Sequence, residues 1–125
     1  MHAGFDPEEP YLLLDGIGGM GHGHDDCNSI TRVTARDTVW LIDDAYALKT
    51  MYDHNGVFVA RDGLSSGEAY AAELEAFADL LSVGMTRTQS PANGLRWSRN
   101  IFWARDGLFV IVDDLQCEQA GDYQT

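Results

Sequence analysis

Residues 96–104 (RWSRNIFWA) and 107–112 (GLFVIV) are runs rich in aromatic and β-branched side chains, and Arg105-Asp106 lies between them. Two such runs joined by a short, tight turn are typical of a β-hairpin. A similar signal lies upstream, where residues 29–34 (SITRVT) and 38–42 (TVWLI) flank a three-residue turn. Strands that alternate with turns predict an antiparallel β-sandwich rather than alternating βαβ units.

Three further segments extend this prediction. Residues 10–14 (PYLLL) and 56–60 (GVFVA) each predict a short strand. Residues 68–81 are rich in alanine and place Tyr70, Leu74, Phe77 and Leu81 at helical spacing, which predicts one short helix near 68–81. The tryptophans Trp40 and Trp103 lie in apolar runs, so we expect both in the core rather than stacked on a ligand.

Composition limits what the chain can be. At 125 residues it is long enough for one domain, which we expect to span 1–125 and to be a partial one, truncated at both ends. A net charge of −12 argues against a nucleic-acid or anionic-membrane surface, and no apolar run approaches the roughly 18–20 residues that cross a bilayer. Cys27 and Cys117 lie far apart, and two unpaired thiols are favoured over a disulfide.

Titratable residues concentrate at the end of a glycine-rich loop. Residues 16–24 (GIGGMGHGH) contain five glycines, and Asp25-Asp26 follow the two histidines His22 and His24. Further along, Asp43 ends an apolar strand and His54 shortly precedes another. Imidazole and carboxylate groups are ligands that Zn²⁺ accepts, so a metal site is one interpretation. The other is a set of ordinary surface histidines, with Asp43 capping a turn.

The order of these blocks resembles the heparinase II/III-like family. The similarity covers the first strand and glycine-rich loop, and then residues 22–30 (HGHDDCNSI), 40–43 (WLID), 54–55 (HN) and 99–113. In that family, the residues matching His24, Asp43 and His54 hold a zinc ion, and the one matching His22 faces the active-site cleft. Asp44, directly after Asp43, departs from the usual pattern of the family, and it is a second candidate for the carboxylate ligand. The region matching residues 68–81 is mostly strand and loop in the family, against the helix that the sequence predicts.

The resemblance implies a polysaccharide lyase that cleaves uronic-acid polymers such as alginate or heparin by β-elimination. It implies a structural zinc ion, an acidic polysaccharide substrate, an N-terminal α-helical toroid domain in the parent chain, and a periplasmic or secreted location. In these enzymes the main catalytic tyrosine and histidine come from the toroid, so this chain is expected to be inactive alone, with His22 its one candidate catalytic residue. The alternative is a metal-stabilised carbohydrate-binding or structural β-sandwich without an enzymatic parent.

Overall fold

The structure, a computed structural model, describes residues 8–18, 25–43, 50–65 and 69–125. It is mostly β and antiparallel, as predicted. A three-stranded sheet is formed by β1 (Tyr11–Leu14), β2 (Ile30–Ala35) and β3 (Thr38–Ile42). A four-stranded sheet follows the chain order, with β6 (Glu73–Asp79), β7 (Val83–Ala92), β8 (Leu95–Ala104) and β9 (Leu108–Cys117).

A smaller sheet of three two-residue strands completes the described elements, in the order β10 (Tyr123–Gln124), β4 (Ala60–Arg61) and β5 (Leu64–Ser65). One turn of 3-10 helix spans Met51–Asp53. No helix in the described ranges is long and apolar enough to cross a membrane.

The core lies where the two larger sheets face each other. Leu12 and Ile30 of the three-stranded sheet pack on Ile101 of β8, and all three are buried. Because side chains alternate along a strand, the odd-numbered residues of β8 point into this core and the even-numbered ones point away from it. Trp103 is buried on the inner face and stacks on Phe109 at 6.1 Å between ring centroids, as expected for a core tryptophan. The two sheets therefore bury a shared apolar layer, which is the arrangement of a sandwich.

The turns explain the registers of the hairpins. Arg36-Asp37 and Asn93-Gly94 both have positive φ, and each pair forms a two-residue hairpin loop. This backbone conformation matches the twist of the adjoining strands, and asparagine and glycine adopt it at little cost. Both predicted hairpins are confirmed. Strand β7, which ends at the Asn93-Gly94 turn, was not predicted.

The predicted helix near 68–81 is wrong over the described residues. Glu73–Asp79 is a strand, and it pairs with β7 from Glu73 opposite Gln89 to Asp79 opposite Gly84. Leu74 and Phe77, two of the residues at helical spacing, remain more than half exposed. The helical pattern therefore has no apolar surface to pack against, and the hydrogen-bond ladder along β7 outweighs the intrinsic preference of the alanines.

Two smaller expectations also fail. Only Ala60 of the predicted strand at 56–60 belongs to a strand, because the residues before it run in irregular extended backbone. Trp40 is 69% exposed rather than buried. Strand alternation places it on the outer face of β3, opposite the partly buried Leu41, and its indole Nε1 donates to the carbonyl of Ala35 at 3.2 Å.

Candidate metal centre

Asp43 and His54 lie side by side although eleven residues separate them. Nδ1 of His54 is 2.9 Å from Oδ2 of Asp43, and the side chains of His54 and Asp43 are 2% and 10% exposed. Asp43 directly follows β3, and its N–H donates to the Thr31 carbonyl at 2.8 Å. The His54 N–H donates to the Met51 carbonyl and so ends the 3-10 turn. Two of the three predicted ligands thus form one buried polar pair.

The third predicted ligand, His24, and the candidate catalytic residue His22 lie outside the described residues, as does Asp44. The described residues resume at Asp25. The segment from there to β2, which follows the glycine-rich loop with the two histidines (the histidine loop, residues 16–24), is held by backbone hydrogen bonds. The Asn28 N–H donates to the Asp15 carbonyl at 2.8 Å, and the Asp15 N–H donates to the Ser29 carbonyl at 2.9 Å. Asn28 is fully buried in the left-handed region at φ 67°, with its Oδ1 accepting from the Thr88 hydroxyl at 2.6 Å.

The segments that carry the predicted ligands meet at the beginning of β2. Asn55, the residue after His54, bonds Ile30 twice: its carbonyl accepts from the Ile30 N–H and its Nδ2 donates to the Ile30 carbonyl, both at 3.2 Å. The next residue, Thr31, accepts from the N–H of Asp43. The His54 segment and the end of β3 are therefore both attached to the strand that the histidine loop enters.

The two described donors, Asp43 and His54, are of kinds that zinc accepts. Tetrahedral coordination at ordinary Zn–N and Zn–O lengths puts neighbouring donor atoms about 3.3 Å apart. The 2.9 Å between His54 Nδ1 and Asp43 Oδ2 needs to open by only a few tenths of an ångström to meet that spacing. The same contact also suits a carboxylate that orients a ligating imidazole from outside the coordination sphere. Within the described ranges, no three His, Cys, Asp or Glu side chains are grouped to hold a metal.

An arginine outside the predicted ligand set joins this region to the large sheet. Arg99 on β8 is 4% exposed, and its guanidinium is held by Asp113 on β9, with Nε and Nη2 donating to the two carboxylate oxygens at 2.8 and 2.9 Å. Its Nη1 donates to the carbonyls of Asn28 at 2.8 Å and Asn55 at 3.0 Å. We call these residues, with Trp97, the Arg99 network.

Trp97, two residues before Arg99 on β8, completes the Arg99 network. Its Nε1 donates to Asp113 Oδ1 at 2.9 Å, and the Arg99 guanidinium lies 4.7 Å from the centroid of its ring. A guanidinium over an indole face is favourable, and more so when both are shielded from water, as here. An arginine in the middle of one predicted hairpin strand, with an aspartate just after the other strand of the same hairpin, was the signal in the sequence that could have indicated this pair.

A cavity of about 160 Å³ opens beside the same region. Its described lining combines Trp97, Phe58 and Met51 with the polar residues Asp25 and Asn93, among others. Asp25 is the single charged residue in the described lining, so this cavity offers a uronate no cation there. The buried Cys27 also contributes to it, and the exposed Cys117 does not; both cysteines are free thiols, as predicted.

Comparisons with family models, curated proteins and solved structures give no match to this chain. The resemblance to the heparinase II/III-like family therefore depends on the motif residues and their order alone.

Proposed function

We propose that this chain is the β-sandwich portion of a polysaccharide lyase, with a structural zinc ion held by His24, Asp43 and His54. The observation that supports the proposal most directly is the buried contact between Asp43 and His54. A histidine and an aspartate chosen from the sequence as ligands of one ion lie 2.9 Å apart, at the end of a strand and of a turn that are both bonded to β2.

The zinc ion supplies a fixed attachment for the histidine loop and no reactive group in this proposal. A loop with five glycines in nine residues loses much conformational entropy when it becomes ordered. Attaching His24 to Asp43 and His54 offsets that loss and fixes the residues around it. The chain's contribution to β-elimination is then one wall of the cleft, with His22 presented toward the sugar, while the acid and the base come from the toroid domain of the parent.

Metal analysis tests the site. We expect about one zinc ion per chain, which is lost in His24→Ala and in His54→Ala. His22→Ala is the matched control, because it removes a histidine from the same loop without removing a proposed ligand, and it should retain the zinc. A folded wild-type chain without metal, or equal loss in the His22 variant, would contradict the ligand set.

A second function, a carbohydrate-binding β-sandwich without catalysis, is favoured by one observation. The described lining of the cavity carries a carboxylate and no basic residue, and the whole chain has a net charge of −12, which together suit a neutral sugar better than a uronate. Affinity electrophoresis in alginate and in a neutral glucan separates the two functions. Retardation by alginate that weakens in His22→Ala supports the lyase wall, whereas retardation by the glucan alone supports the binding module.

A further inference from the structure

We propose that Arg99 is a positioning residue of the metal centre, and that its guanidinium sets the spacing between the two segments that carry the histidine ligands. This inference rests on the proposed zinc site. Nη1 of Arg99 donates to Asn28, four residues after His24, and to Asn55, the residue next to His54. One nitrogen atom therefore fixes how far apart these two backbones lie.

The guanidinium has little freedom to move. Its other two nitrogens are bound in parallel to Asp113, and its plane lies over the Trp97 ring. The arginine and aspartate side chains are 5% and 26% exposed, so water competes weakly for these bonds. Because Asp113 and Trp97 belong to neighbouring strands of the large sheet, the rigid sheet determines where Nη1 points.

Lysine cannot replace this geometry. An ammonium group is a single point of charge with tetrahedral donors, whereas the planar guanidinium bonds a carboxylate through one edge and leaves Nη1 free to reach two carbonyls. Arg99→Lys keeps the positive charge for Asp113 but gives up the simultaneous contacts with Asn28 and Asn55. The backbones at Asn28 and Asn55 are then no longer held together by one donor, while the charge balance of the core is preserved.

Arg87 offers a matched control on the same sheet. It pairs with Glu75 at 2.6 Å, donates to Asn100 and Ser98, and lies 4.0 Å from an Asp114 oxygen, and these partners belong to strands β6, β8 and β9. Its contacts thus stay within the four-stranded sheet, and none of these contacts reaches a segment carrying a proposed ligand. Arg87→Lys therefore tests what the same substitution does to the sheet alone.

The experiment measures zinc affinity of the full chain by competition with a chromophoric chelator, alongside the visible absorption of the Co²⁺-substituted form and the metal-free melting temperature. Loss of a group that hydrogen-bonds a metal ligand typically weakens metal binding about 10- to 100-fold. Arg99 bonds residues near the ligands rather than the ligands themselves, so we expect a loss at the lower end of that range, about 10-fold, for Arg99→Lys. The Co²⁺ spectrum should change with it, because the ligand geometry changes. Arg87→Lys should stay within about twofold of wild type, since the effect requires contact with the ligand segments.

Unchanged zinc affinity in a folded Arg99→Lys variant would overturn the positioning role and leave the zinc site standing. A wild-type chain that binds no zinc would overturn both. If Arg99→Lys does not fold, Trp97→Phe decides, because it removes one bond to Asp113 and keeps an aromatic ring under the guanidinium. We expect a weakening of about 3- to 10-fold there, and wild-type affinity in that variant would contradict the inference.

Discussion

Arginine–carboxylate pairs lie on both faces of the four-stranded sheet, and they differ in what else they contact. Arg99 and Asp113 on the inner face are 5% and 26% exposed and bond two irregular segments as well as each other. Arg87 and Glu75 on the outer face are each about one-third exposed, and the other partners of Arg87, namely Ser98, Asn100 and Asp114, all belong to strands of the same sheet. The difference teaches that burial and connectivity, rather than the ionic groups themselves, give such a pair its structural role.

The largest expected effect is on the inner pair. Asp113→Asn keeps the shape of the side chain but leaves the Arg99 charge uncompensated in a buried position, which should lower the free energy of unfolding by about 3–5 kcal/mol. Glu75→Gln on the outer face should lower it by no more than about 1 kcal/mol. Urea denaturation of both variants measures the contrast. Similar losses from the two substitutions would mean that the faces do not differ as the burial indicates.

The next effect concerns the loop end that Arg99 holds. Asn28→Ala removes the bond to the Thr88 hydroxyl. It also places at φ 67° a residue that has a Cβ but no polar side chain to stabilise this conformation. We expect the free energy of unfolding to fall by about 2–3 kcal/mol. Asn28→Gly also removes the side-chain bond but adopts this φ freely, so its loss should be about 1 kcal/mol. Denaturation midpoints compare them. A larger loss in the glycine variant would show that the positive φ is not what selects asparagine.

Trp97 and Trp103 provide a third comparison, because both are buried on the inner face of β8. Trp97 Nε1 bonds Asp113, whereas Trp103 Nε1 has no hydrogen-bond partner within the part of the chain that the structure describes. Substitution by phenylalanine removes similar volume at both sites, so the loss should be about 1 kcal/mol greater for Trp97→Phe. Thermal melts of the two variants give the difference. Equal losses would show that the hydrogen bond of the Trp97 indole adds nothing to the stability of the fold.

The smallest effect is a response to salt. In about 1 M salt the Debye length falls to about 3 Å, which screens the outer pair, whose two side chains are each about one-third exposed. The stability difference between wild type and Glu75→Gln should therefore shrink, while that for Asp113→Asn should hardly change. Repeating the urea titrations at low and high salt measures both differences. Equal screening of the two would show that the burial of Arg99 does not shield the inner pair from salt.

The sequence predicted the hairpins whose strands alternate apolar and polar residues around a recognisable turn, namely β2–β3 and β8–β9. It did not predict β7, whose residues 83–92 (VGMTRTQSPA) are mostly polar or small, although the Asn93-Gly94 turn after them is a strong hairpin signal. The error at β6 has a different cause. Alanine, leucine and glutamate favour a helix locally, and only pairing with the neighbouring strand determines the outcome.

The candidate site was predicted to a similar degree. Asp43 and His54 were chosen as partners from the resemblance, and the structure places them in contact, while their role as zinc ligands with His24 stays a prediction. Arg99 was missed because the residues it joins lie far away in sequence: 71 positions separate it from Asn28 and 44 from Asn55. No local pattern of residues reports contacts of that range.

Those separations also bear on the order in which the chain folds. Strands β6 to β9 each pair with their neighbour in sequence, so their hairpins close short loops and should form early. The bonds from Arg99 to Asn28 and Asn55 close far longer loops and should form after the folding transition state. Variants at Arg99 are then expected to speed unfolding much more than they slow folding, so that the histidine-bearing segments dock last and detach first.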